Sequence, residues 1–323
     1  MPLTKSENTI IENQRKLIKK IDFKEMVEYQ TEESNVYLLD MAKYSVDNKE
    51  LQPIEELLKI DLAVRKELGF VKADGYDVQP WCIEKEKPEH FVNLEFEIES
   101  DVEVKDTYLA FEEAVQIEFN GKSVDIDVIG WYVDESIKKI KLGAINRGIN
   151  NLKVKVPITN RLSLENMFIL GDFDVKIQGA KTKIVQKSSK IAFGSIVNQG
   201  LPFYGGNIIY ETEIETPDCD LEIQANHYKG ALLGVILDNE EEKNIIFSPY
   251  KAIFENVKAG KHKIKFIYYG NRYNTFGALH RNSDHFWKGP AMWYTEDCKW
   301  SYEYILANVG IMKSPVIRMF ESK

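Results

Sequence analysis

From residue 90 onward the apolar residues recur at every second position. HFVNLEFEIES (90–100) sets Val92, Leu94, Phe96 and Ile98 against polar partners. That period puts one face of a strand into a core and turns the other toward water. TYLAFE, VQIEFNGKSVDIDV, KKIKL, NNLKVKVP, LENMFIL and DFDVKI follow at short intervals. Asn120-Gly121, between two alternating runs, is the strongest short-range hairpin signal in the chain. A polar, basic stretch, QGAKTKIVQKSSK (178–190), interrupts the series. NIIYETEIE (207–215), CDLEIQANHY (219–228), LLGVILDN (232–239), NIIFSP (244–249) and HKIKFIYYG (262–270) then resume it. Strands at this regularity, with no helices between them, predict antiparallel sandwiches or jelly rolls.

Ahead of residue 90 the period differs. Residues 7–33 carry a partial helical stripe of Ile10, Ile11, Leu17, Ile18 and Ile21. PIEELLKIDLAVRKELG (53–69) is a clearer helix: Pro53 suits its first turn, Glu55 and Glu56 its positive end, and Gly69 its stop. The expected organisation is a helical N-terminal segment over 1–34, a first β-sandwich with an inserted helix over 35–178, and a second β-sandwich over 179–323. The two halves read alike. VQIEFNGKSV, GWYVD and KLGAINRGINNLKVKV in the first answer to GVILDNEEEKNIIF, SPYKA and FENVKAGKHKIKFI in the second. That likeness predicts two sandwiches of similar topology rather than one large sheet.

The net charge is −9, from 42 basic and 51 acidic side chains. It disfavours non-specific binding to nucleic acid or to an anionic membrane. No apolar stretch approaches the roughly 20 residues of a membrane span, and the N-terminus lacks the apolar core of an export signal. Cys82, Cys219 and Cys298 are odd in number and widely spaced, which suggests reduced thiols in a cytoplasmic protein. A piece of a longer secreted chain would also show no signal.

The chemistry-bearing residues are less directive. No Walker-A loop, Rossmann fingerprint or nucleophile elbow is present, so no cofactor is expected. Glu112-Glu113, the Asp172/Asp174 pair and the acids at 240–242 read as surface and turn polarity. His280 and His285 are the one close histidine pair, short of the three or four ligands that zinc requires, so no metal site is expected. Trp81, Trp131 and Trp300 are expected in the core. Trp287 and Trp293, in HFWKGPAMWY, stand between burial and ligand contact. NRYNTFGALH (271–280) is explained first as a structural loop, capping its own peptide groups and anchored by Phe276 and Leu279. The competing reading gathers Asn271, Arg272, Asn274, His280, Trp287 and Trp293 into a carbohydrate site. One cation, several hydroxyl-reading groups and two stacking rings suit a neutral sugar better than a phosphate.

NVYLLDMAKYS, DGYDVQPW, GWYVDESIKKIKLG, LENMFILGDFDV, GLPFYGGNIIY, NRYNTFGALH and KGPAMWYTEDCKWSYEYILANVGIMKSPVI occur in this order. Together they resemble the C-terminal β region of bacterial α-L-rhamnosidase-like glycoside hydrolases of family 106, over about residues 35 to 320. The resemblance implies an all-β fold of tandem galactose-binding-like jelly-roll β-sandwiches, with the short helical N-terminal segment in front. In that family a catalytic barrel lies upstream; such a barrel needs roughly 200 residues or more, and the chain has no room for one. The expectation is a carbohydrate-associated accessory module, non-catalytic alone, with its catalytic residues unknown. Its partner would be carbohydrate or a catalytic glycosidase domain, with no nucleic acid and no membrane. The alternative is a self-sufficient glycoside hydrolase whose acids sit between the two sandwiches.

Overall fold

Alternation at the N-terminus turns out to matter more than the helical stripe. The computed structural model describes residues 15–23, 25–70, 83–282 and 299–322. Within the stretch expected to be helical, it contains two strands, β1 (Leu17–Asp22) and β2 (Val27–Thr31). The stripe residues Leu17 and Ile18 are exposed, whereas Val27 and Tyr29 alternate into a core. The reason is non-local. β1 finds its backbone partner in Val316–Phe320, near the other end of the chain, and β2 finds its own in Ile208–Thr216.

The first sandwich comprises β3 (Asn35–Leu39), β4 (Met41–Val46), β5 (Gln52–Glu56), β6 (His90–Ser100), β7 (Val104–Phe111), β8 (Gln116–Phe119), β9 (Lys122–Val124), β10 (Gly130–Tyr132), β11 (Asp134–Ile145), β12 (Gly148–Ile158), β13 (Met167–Gly171), β14 (Asp174–Gln178) and β15 (Lys181–Val185). One sheet runs β10-β11-β7-β13-β3. The other runs β14-β15-β6-β12-β8-β9, with β4 beside β6 and β5 beside β4. Val92, Leu94, Phe96 and Ile98 of β6 are all buried in the shared core. Asn120 and Gly121 both take positive φ between β8 and β9, as a tight hairpin turn demands.

The helix α1 (Leu57–Leu68) starts later than the sequence suggested, because β5 pairs with β4 and claims Pro53 for a strand. Glu56 caps it by accepting from the Lys59 N–H at 3.2 Å, and Gly69 ends it at φ +70°. Leu57, Ile60 and Val64 face the core. Arg65 is buried too, paired with Asp61 at 2.7 Å and donating to the Leu162 carbonyl at 2.9 Å.

The second sandwich comprises β1, β2, β16 (Lys190–Ile191), β17 (Ile208–Thr216), β18 (Cys219–Gln224), β19 (Leu232–Leu237), β20 (Lys243–Ile245), β21 (Lys251–Val257), β22 (Gly260–Tyr269) and β23 (Val316–Phe320). Its sheets run β1-β23-β18-β21 and β16-β2-β17-β22-β19-β20. Strand by strand it repeats the first. The order β21-β18-β23-β1 matches β11-β7-β13-β3, and β2-β17-β22-β19-β20 matches β4-β6-β12-β8-β9. The first sandwich is inserted between β2 and β17 of the second, ahead of the short β16. These two strands are hydrogen-bonded neighbours, Thr31 opposite Ile208, so the insertion leaves and returns at one place. The stretch 178–190 is correspondingly not a plain linker: β15 pairs with β14 and with β6. Among the described residues no helix is long and apolar enough to cross a membrane.

Deleting residues 1–32 removes two strands of the second sandwich and the core residues Val27 and Tyr29. Hydrogen exchange should then show amides over 208–269 losing protection while those over 90–158 keep it. A helical appendage would have left both sets protected.

Candidate functional site

NRYNTFGALH folds as a short turn, α2 (Tyr273–Phe276), braced from both sandwiches. The Asn271 side-chain oxygen accepts from the Tyr273 N–H at 3.1 Å. Arg272 forks onto the Glu33 carboxylate, with Nη1 to Oε2 at 3.0 Å and Nη2 to Oε1, and its guanidinium lies 5.8 Å from the Tyr132 ring. Asn274 is 1 % exposed and pairs with the peptide of Ala307, donating to its carbonyl and accepting from its N–H, both at 2.9 Å. Thr275 donates to the Phe203 carbonyl at 2.8 Å. The glycines of GLPFYGG serve this turn: a Cβ on Gly205 would stand 2.8 Å from the Asn271 carbonyl oxygen and 2.7 Å from the Thr275 hydroxyl.

His280 closes the loop in a second cluster. Its Nε2 lies 3.1 Å from Asp40 Oδ2 and its Nδ1 2.8 Å from the Ser301 carbonyl. Both neighbours offer acceptor oxygens, an arrangement that favours the imidazolium form, in which both ring nitrogens donate. Tyr304 donates to the other oxygen of Asp40 at 2.7 Å. The half-buried Trp300 ring stacks on His280 at 5.4 Å between centroids, with the Lys59 ammonium 3.4 Å above it. Glu56, at the start of α1, is buried beside them. Asp40, Glu56, Asn166, His280 and Trp300 line a cavity of about 20 Å³, room for a single water. The side-chain oxygen of Asn166 is buried without a partner among the described atoms.

Electrostatics here are coupled. Burial pushes the Glu56 carboxyl up to about 7, and the charge of Asp40 adds to the shift; the Leu58 and Lys59 N–H groups and His280 oppose it. Burial works against charge on His280, but the hydrogen bond and charge of Asp40, then Glu56 and the Ser301 carbonyl, outweigh it and raise its pKa. Burial and then Asp40 hold the Tyr304 phenol well above its usual range.

Of the six residues grouped from sequence, four are described, and their side chains are engaged within the chain itself. Trp287 and Trp293 lie outside the described residues, as do Trp81, Cys82, His285 and Cys298. Trp131, expected in the core, is 56 % exposed, because β10 is the outer strand of its sheet and it is Tyr132 that turns inward. Sequence reading missed Asp40, Glu56 and Tyr304. An acid inside the apolar run NVYLLDMAKYS was the available signal for Asp40. Among the described residues no group of three or more His, Cys, Asp or Glu is placed to hold a metal ion.

No family model and no curated protein matches the chain. Similar solved structures include glycoside hydrolase chains. A GH2 β-galacturonidase from Eisenbergiella tayi matches at 17 % identity and TM-score 0.26, over 45 % of this chain and 22 % of that one. A rhamnosidase from Novosphingobium sp. PP1Y matches at 13 % and 0.28, over 72 % and 23 %. An anti-sigma factor domain-containing protein from Clostridium clariflavum matches at 11 % and 0.21, over 73 % and 90 %. The chain thus spans under a quarter of the length of those two hydrolases. The likeness is a weak one of fold, and it does not single out family 106.

A group that holds its proton more tightly when folded stabilises the fold below its unfolded pKa and loses that contribution as pH rises through its folded pKa. For Glu56 the window runs from 4.5 to about 7, and for His280 it opens above 6.5. Both act in the same direction. Thermal stability should therefore fall between about pH 5 and pH 8, with Glu56 contributing on the order of 2–3 kcal/mol. Glu56→Gln, which keeps an oxygen for the Lys59 N–H, should flatten that slope in calorimetry. An identical slope in wild type and variant would refute the assignment.

Proposed function

We propose that the chain acts as a carbohydrate-associated accessory β-sandwich module, resembling the C-terminal part of an α-L-rhamnosidase-like hydrolase and non-catalytic on its own. The observation that carries this reading is the state of the acid–base cluster between the sandwiches. Asp40 is bonded to His280 and Tyr304, Glu56 caps its helix, and the space beside them is about 20 Å³, against the roughly 300 Å³ or more of an ordinary ligand pocket. A glycosidase needs two carboxyl groups with a sugar held between them. In this reading Asp40 and His280 fasten one sandwich to the other, and the partner is carbohydrate or a catalytic glycosidase domain.

The second reading, a self-sufficient hydrolase, draws on one specific observation. Glu56 is a buried acid between the sandwiches with its pKa near 7, the condition that a general acid requires. The purified chain should nonetheless release no aryl product from aryl α-L-rhamnosides above a no-enzyme control. Turnover that disappears in Glu56→Gln would establish the second reading instead.

The sugar contact is proposed for Trp287 and Trp293, with Asn271, Arg272, Asn274 and His280 in the loop that leads to them. Trp287→Ala and Trp293→Ala should weaken binding of rhamnose-containing oligosaccharides in titration calorimetry with little change in melting temperature. Loss of about 3–5 kcal/mol of stability, the cost of emptying a buried aromatic site, together with no binding by the parent chain, would assign both rings to packing.

A further inference from the structure

Residues 125–129 carry the chain from β9, the outer strand of one sheet, to β10, the outer strand of the other. Ile126, Val128, Ile129, Trp131 and Val133 are all exposed along this crossing, Val133 by 46 %. Five large apolar side chains within eight positions form a strip on open surface, where scattered single ones would be unremarkable. The backbone is strained at its end. Val133 has φ +66°, a left-handed conformation that is an outlier for a β-branched residue. A register shift between Trp131 and Tyr132 accompanies it. Glycine or asparagine would relieve the strain and a polar residue would suit the exposure. Val133 breaks both local rules at once.

Charge indicates what covers the strip. Asp125, Asp127, Asp134 and Glu135 are interleaved with or flank the apolar residues, and 125–135 contains no Lys or Arg. All four acids are exposed. Of the two bases opposite on the neighbouring strand, Lys138 donates to the Glu112 carbonyl at 2.7 Å and to Glu113 at 3.0 Å, and Lys139 runs past Gly130 toward the Tyr108 ring, 5.6 Å away, so the four acids of the strip outnumber the one base beside it. A strip of this kind repels an anionic lipid surface and repels a second copy of itself.

We propose that residues 125–135 are the docking surface for a protein partner whose contact face is apolar at its centre and rimmed by Lys and Arg. The proposal rests on the accessory-module reading and gives that module its attachment face. The equivalent crossing in the second sandwich supplies an internal control. Ile246, Phe247 and Tyr250 are exposed there, and Tyr250 likewise has a positive φ, +56°, so charge alone distinguishes the two crossings: residues 244–250 carry no acid.

The test places a benzophenone amino acid at Val128, and separately at Phe247, in the full chain expressed in its native host. Irradiation should join position 128 to one protein, through a peptide that mixes apolar residues with Lys or Arg, and position 247 should give no such adduct. With that partner purified, Val128→Asp and Trp131→Ala should each raise Kd about tenfold or more while leaving the melting temperature unchanged. Binding should also weaken between about 50 and 500 mM salt. No adduct at 128, equal adducts at both positions, an adduct to a second copy, or one to glycan or lipid would overturn the proposal. Rhamnoside hydrolysis by the isolated chain would instead overturn the module reading, and the two failures are read in separate assays.

Discussion

The pairing of β2 with β17 carries the architecture. It closes the second sandwich across the insertion of the first, and it brings the two ends of that insertion side by side. The seam is sealed by side chains beside it. Asn35 donates from its amide to the carbonyls of Phe173 and Gly200, both at 2.8 Å. The Glu33 carboxylate takes the Arg272 fork, and Tyr204 donates to the Asn207 carbonyl at 2.8 Å. With the seam fixed, the segment 271–281 lies against the first sandwich, where Leu279 and Phe203 enter its core.

That contact explains the charged cluster at the junction. Asp40 belongs to the first sandwich, and His280 and Tyr304 come from the second half of the chain. Removing one partner of a buried pair leaves an uncompensated charge, at about 3–5 kcal/mol. A purely apolar seam could slide, whereas hydrogen bonds of fixed geometry admit one docking. Asp40 thus bonds across the seam to both His280 and Tyr304.

The repeated topology sharpens what is particular to each sandwich. Both make a large excursion at the same place, between β4 and β6 in the first and between β2 and β17 in the second. In the first it contains β5 and α1; in the second it is the whole first sandwich. Both also expose apolar residues where the chain crosses from one outer strand to another. Acids accompany those residues in the first crossing and not in the second, so the two sandwiches differ at this place in surface chemistry while sharing their strand order.

The sequence by itself determined the elements whose causes are local. Period-two runs became strands, Asn120-Gly121 became the hairpin turn, and Gly69 ended α1 in the left-handed conformation that glycine permits. The likeness of the two halves was legible for the same reason, since each repeat carries its own alternation. Tertiary structure decided what depends on distant partners. Leu17–Asp22 and Val27–Thr31 are strands because partners distant in the chain, Val316–Phe320 and Ile208–Thr216, accept them. Asp40, Glu56 and His280 meet because β3, α1 and the 271–281 loop converge at the seam, and no spacing in the chain encodes that meeting. Trp131 faces water because its strand is the last in its sheet. Alternation fixes which residues share a face, but the strand order across the finished sheet fixes whether a neighbour covers it.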